Sequence, residues 1–100
     1  MDKPLIVVNF KTYETAMGDT ALTLAKAMDD FTDRDFRMIA VVSAFDLSSI
    51  SNSVSSVEVW SQHLDPVGKG SHTGWLEPDL ALHHGAVGTI INHAEHKVDI

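Results

Sequence analysis

Four apolar runs rich in valine and isoleucine constrain the fold of this chain more than any other feature. They cover residues 5–8, 38–42, 57–60 and 87–91. Apart from Glu58 and Thr89 they carry no polar side chain, so each predicts a parallel strand that is covered on both faces. The segments between them are long enough to hold a helix and return the chain to the same end of a sheet. The sequence therefore predicts repeated β/α units.

The connector after the first strand has the pattern of an amphipathic helix. Apolar residues recur at spacings of three and four from Ala21 to Met28, and Gly18-Asp19 precedes them as a start signal. Acidic residues follow in a cluster, namely Asp29, Asp30, Asp33 and Asp35. Such a cluster could suggest a cation site, but we expect the more frequent case, a solvated helix end and turn.

The later connectors combine helix and loop signals. Asp46 to Ser56 predicts a short helix or helical turn capped by Asp46. Residues 62–74 include a proline and three glycines and predict a long loop, which in a compact domain is usually functional. Leu76 to Gly85 predicts a short helix with Pro78 in its first turn and Gly85 as its stop.

Composition excludes several classes of protein. The chain has 100 residues, of which 44% are hydrophobic, and this suits one globular domain. No stretch approaches the roughly 18 apolar residues of a membrane span, and the start lacks secretory features, so we expect a cytoplasmic protein. Cysteine is absent, which excludes a disulfide framework and a thiolate nucleophile. The formal net charge of -7 opposes binding to nucleic acid or an anionic membrane.

Polar side chains follow three of the apolar runs, at the point where each strand is predicted to end. Asn9 and Lys11 follow the first run, Gln62 follows the third, and His93 follows the fourth. The carboxyl ends of parallel strands meet at one edge of the sheet, where loops converge and helix amino termini carry partial positive charge. These four residues are therefore candidates for binding and polarising an anionic substrate.

The segments around these strand ends resemble the triosephosphate isomerase family, specifically its archaeal branch. The segments that carry the resemblance are Val8 to Tyr13, Trp60 to Pro66, Gly70 to Gly74 and Gly85 to Glu95. They occur in the family's order, from about residue 5 to residue 96. The resemblance implies that residues 1–100 form the amino-terminal half of a single α/β domain, a TIM (β/α)8 barrel. The chain would supply about the first four β/α units of that barrel.

The resemblance also implies an activity and roles for the candidate residues. The family interconverts glyceraldehyde 3-phosphate and dihydroxyacetone phosphate through an enediolate, by proton transfer and without a cofactor. Lys11 would stabilise the phosphate and the enediolate oxygens, and Asn9 would hold the lysine and the substrate in position. His93 would act as a neutral imidazole that donates a hydrogen bond to the substrate carbonyl. A helix beginning near Glu95 would place its positive end under that ring.

Three further residues take supporting roles from the resemblance. Glu95 would pair with the active-site lysine and orient it, and Gln62 would help to order the same region. The loop Gly70 to Gly74 resembles one that reaches into a neighbouring subunit, where Thr73 would dock beside that subunit's asparagine and lysine. The chain is therefore expected to form a homo-oligomer, a dimer or a tetramer, when full length.

The sequence departs from the family in two ways. Ala94 stands where the family usually has a serine that contacts the catalytic carboxylate, so we expect a modest loss of rate. The general-base glutamate and further phosphate-binding loops lie in the second half of the barrel, which needs about 200 residues or more. We therefore expect residues 1–100 alone to be an inactive half-barrel, with the first and fourth strands as unpaired edges.

Three alternatives remain open from the residues. One is a non-catalytic half-barrel that self-associates or binds a phosphate ester without turnover. Another is a metal-binding protein, because His83 and His84 are adjacent and His93 and His96 could share a helical face, although no cysteine or well-placed carboxylate completes a set. The third is a different phosphate-handling β/α barrel enzyme. We expect no native metal site.

Overall fold

The computed structural model describes residues 3–32 and 35–99, and Asp33 lies outside the described residues. One parallel sheet organises the chain. Its strands, in the order in which they lie side by side, are β1 (Leu5–Asn9), β2 (Arg37–Val42) and β3 (Glu58–Ser61). Both strand pairs are parallel, as the repeated β/α units predicted.

Helices and helical turns connect these strands. They are a 3-10 turn (Glu14–Ala16), α1 (Asp19–Phe31), a second 3-10 turn (Ala44–Asp46), α2 (Leu47–Ser51) and α3 (Pro78–His83). Helix α1 confirms the amphipathic pattern, and it buries three of its apolar residues, Ala21, Ala25 and Met28. Helix α3 confirms the proline start, and Gly85, at a φ of 99°, follows its end. No helix within 3–32 or 35–99 is long and apolar enough to cross a membrane.

The short helix α2 begins directly after Asp46, as predicted, but Asp46 does not cap it with its side chain. Asp46 has φ and ψ of -102° and -7°, which is a helical conformation, and its side chain makes no cap hydrogen bond to α2. An N-cap side chain normally reaches the helix from an extended backbone. The Asp46 carboxylate instead accepts the backbone N–H of Gly18 at 3.1 Å. Asp46 therefore joins the loop after β2 to the start of α1.

The fourth predicted strand is only partly formed. Residues 87–91 run beside β3, but their only bridge to it is the parallel pair Ser61 and Thr89. The Val87 N–H donates to the Val59 carbonyl at 3.0 Å, and the Ile90 N–H donates to the Ser61 carbonyl at 3.2 Å. This short ladder stops because Asn92, with a φ of 59°, turns the chain away directly afterwards.

The central strand of the sheet is much more buried than the strands at its edges. In β2, the four residues Ile39 to Val42 are fully buried. In β1, Leu5, Ile6 and Val7 are 43–49% exposed, and in the fourth segment Val87 and Ile91 are 62% and 70% exposed. The prediction that every apolar run is covered on both faces is therefore right for β2 and wrong for β1 and the fourth segment. An edge strand has a neighbouring strand on one side only and is therefore less covered, and β1 is an edge strand.

The expectation of a solvated helix end and turn fits the exposed Asp30 and Asp35 but not Asp29. Its carboxylate accepts backbone N–H groups from three consecutive residues, Ser55 at 3.1 Å, Ser56 at 2.6 Å and Val57 at 2.8 Å. Burial raises the pKa of Asp29, but these hydrogen bonds outweigh it, so that the net pKa is lowered. Asp29 therefore fixes the end of α1 to the segment that enters β3.

Candidate active site

An open cavity of about 850 Å³ lies at the carboxyl edge of the sheet. Its walls include five of the six residues that the sequence singled out, namely Asn9, Lys11, Gln62, His93 and Glu95. These residues come from segments far apart in the chain, and the parallel order of the strands brings their ends together. The predicted site residues, except Thr73, thus share one cavity.

The backbone of Lys11 is held in an unusual conformation by two side-chain amides. Lys11 has a φ of 52°, a left-handed conformation that costs free energy for a residue with a Cβ atom. Its N–H donates to Asn9 Oδ1 at 3.0 Å, and its carbonyl accepts from Gln62 Nε2 at 2.7 Å. The preceding residue, Phe10, is buried in the core and anchors the turn. Asn9 and Gln62 therefore fix the position from which the lysine side chain projects.

The ammonium group of Lys11 lies between an acid and an aromatic ring. Its Nζ donates to Glu95 Oε2 at 3.2 Å and stands 5.7 Å from the centroid of the Tyr13 ring. The hydrogen bond and charge of Glu95, followed by the influence of Tyr13, raise the pKa of Lys11. The lysine side chain remains 33% exposed, so its positive charge is directed by these neighbours and is still accessible to an anion.

The imidazole of His93 has a defined tautomer. Its Nδ1 lies 3.1 Å from the backbone N–H of Glu95, which can only donate, so Nδ1 accepts and the proton sits on Nε2. The Glu95 Oε1 atom is also near Nδ1, but at 3.6 Å it is too far for a hydrogen bond, and the backbone contact decides the tautomer. This arrangement makes the Nε2–H group the hydrogen-bond donor of the ring.

The helix expected near Glu95 is absent from residues 94–99. The His96 N–H instead closes a turn onto the His93 carbonyl at 2.8 Å. In a helix the Val98 N–H would bond the carbonyl of Ala94, but it donates to Asn92 Oδ1 at 2.9 Å. Because this donor is engaged by a side chain, helical hydrogen bonding does not begin here. No helix end lies under the His93 ring in the described residues.

Thr73 lies apart from the other predicted residues. It is exposed in the segment between Asp65 and Leu76, and it does not contribute to the cavity wall, whereas its neighbour Gly74 does. Two hydrogen bonds close the base of this segment: the Asp65 N–H donates to the Leu76 carbonyl at 2.9 Å, and the Leu76 N–H donates to Asp65 Oδ2 at 2.7 Å. As predicted, the segment is a loop without helix or strand, and it extends away from the sheet.

Four lining residues with ring side chains received no role in this site from the sequence. Tyr13 approaches Lys11 because the left-handed turn folds the chain back, and no local pattern announces that turn. Phe45 lies beside the cavity with 98% of its surface exposed. The remaining two, His63 and His96, have rings that stack with centroids 3.9 Å apart. His63 carried a usable signal, because it follows a strand and precedes Asp65 at a spacing of two, and His96 was noted only as a possible metal ligand.

The described residues do not form a metal centre. No three histidine, aspartate or glutamate side chains among them come together in a way that could hold a metal ion. The suggestion that His93 and His96 share a helical face fails because a turn replaces the helix and the His96 ring packs on His63.

Comparison with known proteins agrees with this architecture. The family model described as triosephosphate isomerase matches residues 4–100. Triosephosphate isomerase of Methanothermus fervidus is 37% identical over 101 residues, covering 100% of this chain and 45% of that protein. The enzyme of the same name from Archaeoglobus fulgidus is 37% identical over 97 residues, covering 96% of this chain and 43% of that protein.

A solved structure shares the fold. The crystal structure of triosephosphate isomerase from Bartonella henselae superposes with a TM-score of 0.78 at 23% identity, over 94% of this chain and 39% of that one. The chain thus spans about half the length, or less, of the proteins that it matches. It folds as a partial TIM barrel, and the match of the family model over nearly all of its residues shows that the chain belongs to the triosephosphate isomerase family.

Proposed function

We propose that this chain supplies the electrophilic side of an active site that interconverts glyceraldehyde 3-phosphate and dihydroxyacetone phosphate. The observation that carries the proposal is the meeting of Lys11 and His93 in one cavity, each held in a defined orientation by hydrogen bonds. A cationic group beside a neutral hydrogen-bond donor suits a substrate that carries a phosphate and develops a second negative charge during reaction.

The proposed chemistry is a proton transfer between adjacent carbons. When a base removes a proton from the carbon beside the carbonyl, negative charge moves to the carbonyl oxygen and an enediolate forms. The Nε2–H of His93 donates a hydrogen bond to that oxygen, and the Lys11 ammonium stabilises the enediolate and the phosphate. These interactions are stronger in the transition state than in the substrate, so they accelerate the reaction. The hydroxyl proton then moves to the former carbonyl oxygen, and return of the carbon-bound proton to the neighbouring carbon completes the isomerisation without a cofactor.

The base is assigned to a segment that these 100 residues do not include. The family resemblance places it, as a glutamate, in the second half of the barrel. Within the present chain, Asn9 and Gln62 position Lys11, and Glu95 orients its ammonium group. Residues 1–100 alone are accordingly expected to lack turnover. Ala94 supplies no hydroxyl to a catalytic carboxylate, and a modest reduction in rate is expected from this.

The test combines an intact mass with an activity assay on the polypeptide as its source makes it. A mass well above 10.9 kDa would show that the base can lie in the same chain. Isomerase activity is expected in that polypeptide, with a loss of at least about 100-fold in His93→Ala and little change in the control His83→Ala. Residues 1–100 alone should not exceed the His93→Ala background. Full activity of His93→Ala would contradict the proposal.

We also propose that the protein assembles with copies of itself, with the loop that carries Thr73 entering the cavity of the next copy. The support is the resemblance of Gly70 to Gly74 to the family's interface loop, together with the exposure of that loop. Tyr13 and Phe45 present exposed aromatic surface at the cavity and would be covered by the incoming loop. The cytoplasmic location expected from the sequence remains a prediction.

Sedimentation of the native polypeptide tests this assembly. Thr73→Arg should shift the protein towards the monomer, whereas Lys69→Arg, a change elsewhere in the loop that retains charge, should not. An unchanged oligomer in Thr73→Arg, or a wild type that is already monomeric at micromolar concentration, would rule the assembly out.

A non-catalytic half-barrel remains the second candidate. Exposed apolar residues on both sides of the sheet, Leu5 to Val7 and also Val87 and Ile91, favour an association through the sides of the sheet. This candidate predicts stable dimers of residues 1–100 that bind a phosphate ester weakly and do not convert it. Calorimetric titration with a substrate analogue, combined with sedimentation, separates it from the isomerase.

A further inference from the structure

Three side chains form a stack that connects the base of the 66–75 loop to the turn that carries His93. The His63 Nε2 atom lies 2.8 Å from Asp65 Oδ1. On its other side, the His63 ring faces the ring of His96, with centroids 3.9 Å apart and planes 14° apart. The backbone N–H of His96 then bonds the carbonyl of His93 at 2.8 Å. We call the side chains of Asp65, His63 and His96 the histidine column.

At the Asp65 end of the histidine column, both carboxylate oxygens accept hydrogen bonds. Backbone donation from Leu76, then the hydrogen bond of His63, lower the pKa of Asp65, so its carboxylate is ionised and can only accept. The proton of the His63 ring therefore sits on Nε2. One oxygen of Asp65 is occupied by His63 and the other by the Leu76 N–H. Since His63 is only 8% exposed, its ring is a fixed platform for His96.

At its His96 end, the histidine column adds a ring contact to a turn that is otherwise tied to other segments through the Glu95–Lys11 pair. Residues 94–97 are exposed, and no helix continues from them within the described chain. The tautomer of His93 depends on the Glu95 N–H, which this turn presents to Nδ1. If the turn relaxed, that N–H would move and the proton of His93 would be free to occupy either nitrogen. The contact of His96 with a buried ring is therefore placed to restrict this motion.

We propose that Asp65, His63 and His96 are positioning residues that hold the His93 turn and thereby maintain its Nε2–H tautomer. The same carboxylate closes the loop that carries Thr73, so the histidine column also ties the catalytic turn to the base of that loop. None of the three side chains is assigned a contact with reacting atoms. The inference rests on the proposed isomerase function for its significance, but its geometry can be tested without turnover.

Nitrogen NMR of the histidine rings provides the test. The chain, labelled with ¹⁵N in histidine, is measured at about pH 8.5, above the usual histidine range. Wild type should show the coupling pattern of an Nε2–H ring for His93 and cross-relaxation between the ring protons of His63 and His96. In His96→Ala, the two nitrogen resonances of His93 should move towards each other as tautomers exchange. His96→Phe, which keeps a flat ring for stacking, should retain the wild-type pattern, as should the control His83→Ala.

A second variant tests the other end of the histidine column. An amide at position 65 offers one oxygen where two are needed, so in Asp65→Asn either the Leu76 N–H loses its acceptor or the amide N–H faces His63, whose Nε2 proton must then leave. The two nitrogen resonances of His93 should again move towards each other, and the cross-relaxation between the rings of His63 and His96 should weaken. Amide signals of Ile39 to Val42 verify in each sample that the sheet is intact. If His96→Ala unfolds the chain, His96→Phe and Asp65→Asn decide the question.

Two results would overturn the proposal. One is a fixed Nε2–H tautomer of His93 in a folded His96→Ala or Asp65→Asn chain. The other is the absence of cross-relaxation between the rings of His63 and His96 in wild type. Because the measurement needs no substrate, the histidine column can fail while the isomerase function stands. Equally, a native polypeptide without isomerase activity would remove the function and leave the tautomer result intact.

Discussion

The charged groups at the amino ends of the strands differ in their surroundings from those at the carboxyl ends. At the amino end, Asp29 accepts three backbone N–H groups, and Arg37 makes two hydrogen bonds to Glu58. At the carboxyl end, Lys11 sits in a left-handed conformation with an accessible ammonium group. The Nε2–H of His93 has no partner among the described residues. The amino end uses its charged groups to join segments of the chain, whereas the carboxyl end gathers an ammonium group and an imidazole N–H in one open cavity, the edge at which β/α barrels bind ligands.

Replacing Lys11 should produce the largest effect on the carboxyl end and almost none on stability. In the native polypeptide, Lys11→Met should lower kcat/KM by about 100- to 1,000-fold, because a preorganised charge is lost from the transition state. The melting temperature should change little, since the exposed ion pair with Glu95 and the approach to the Tyr13 ring contribute little to stability. Lys26→Met, on the exposed side of α1, is the matched control. Comparable activity in both variants would remove Lys11 from the site.

Replacing Asp29 should lower stability and leave activity unchanged, the reverse of the effect expected for Lys11. Asp29→Ala leaves three backbone N–H groups without their acceptor, and the free energy of unfolding should fall by about 2 kcal/mol. Specific activity of the folded fraction should be unchanged, because Asp29 lies at the end of the sheet opposite the cavity. Chemical denaturation of Asp29→Ala beside Asp30→Ala, the adjacent exposed acid, measures this. Equal stability of the two variants would show that the Asp29 contacts contribute nothing.

The lowered pKa of Asp29 predicts that stability depends on pH. Its pKa is lowered in the folded chain from the ordinary value of 3.8. The stabilisation is therefore complete above that value and is lost as the pH falls through the lower, folded pKa. Wild type and Asp29→Asn should differ at neutral pH and converge in strong acid. A difference that stays constant as the pH falls from neutrality into strong acid would show that charge is not involved.

Sequence patterns predicted the elements better than the contacts between them. The strands β1 to β3, helix α1 and the long loop follow from local periodicity and turn residues, which neighbours in the sequence determine. The side chains of the cavity were found through the family resemblance and the strand-end rule. The contacts of Asp29 were not predictable, because an acid at a helix end has the same local pattern whether solvent or a distant loop binds it. The turn after His93 escaped prediction because the Asn92 side chain competes with a helical hydrogen bond.

At the carboxyl end of the strands, the side chain and the backbone of Glu95 have separate roles that one substitution can distinguish. Its carboxylate orients Lys11, whereas its backbone N–H sets the tautomer of His93. Glu95→Gln removes the charge and keeps the backbone, so kcat/KM should fall by only about tenfold. Histidine ring NMR should still show the Nε2–H form of His93. Loss of that tautomer in Glu95→Gln would mean that the carboxylate, and not the backbone, controls the ring.

The smallest effect is expected for the ion pair at the amino end. Arg37 donates from Nε to Glu58 Oε2 at 2.7 Å and from Nη2 to Oε1 at 2.8 Å, a geometry that favours the pair. The pair lowers the pKa of Glu58, but 48% of the arginine side chain is exposed, so solvent screens the interaction. A double-mutant cycle with Arg37→Met and Glu58→Gln should therefore give a coupling that is favourable, smaller than the Asp29 effect, and weaker in about 0.5 M salt. A coupling as large as the loss in Asp29→Ala, and insensitive to salt, would mean that this ion pair, and not Asp29, is the main stabilising contact of the amino end.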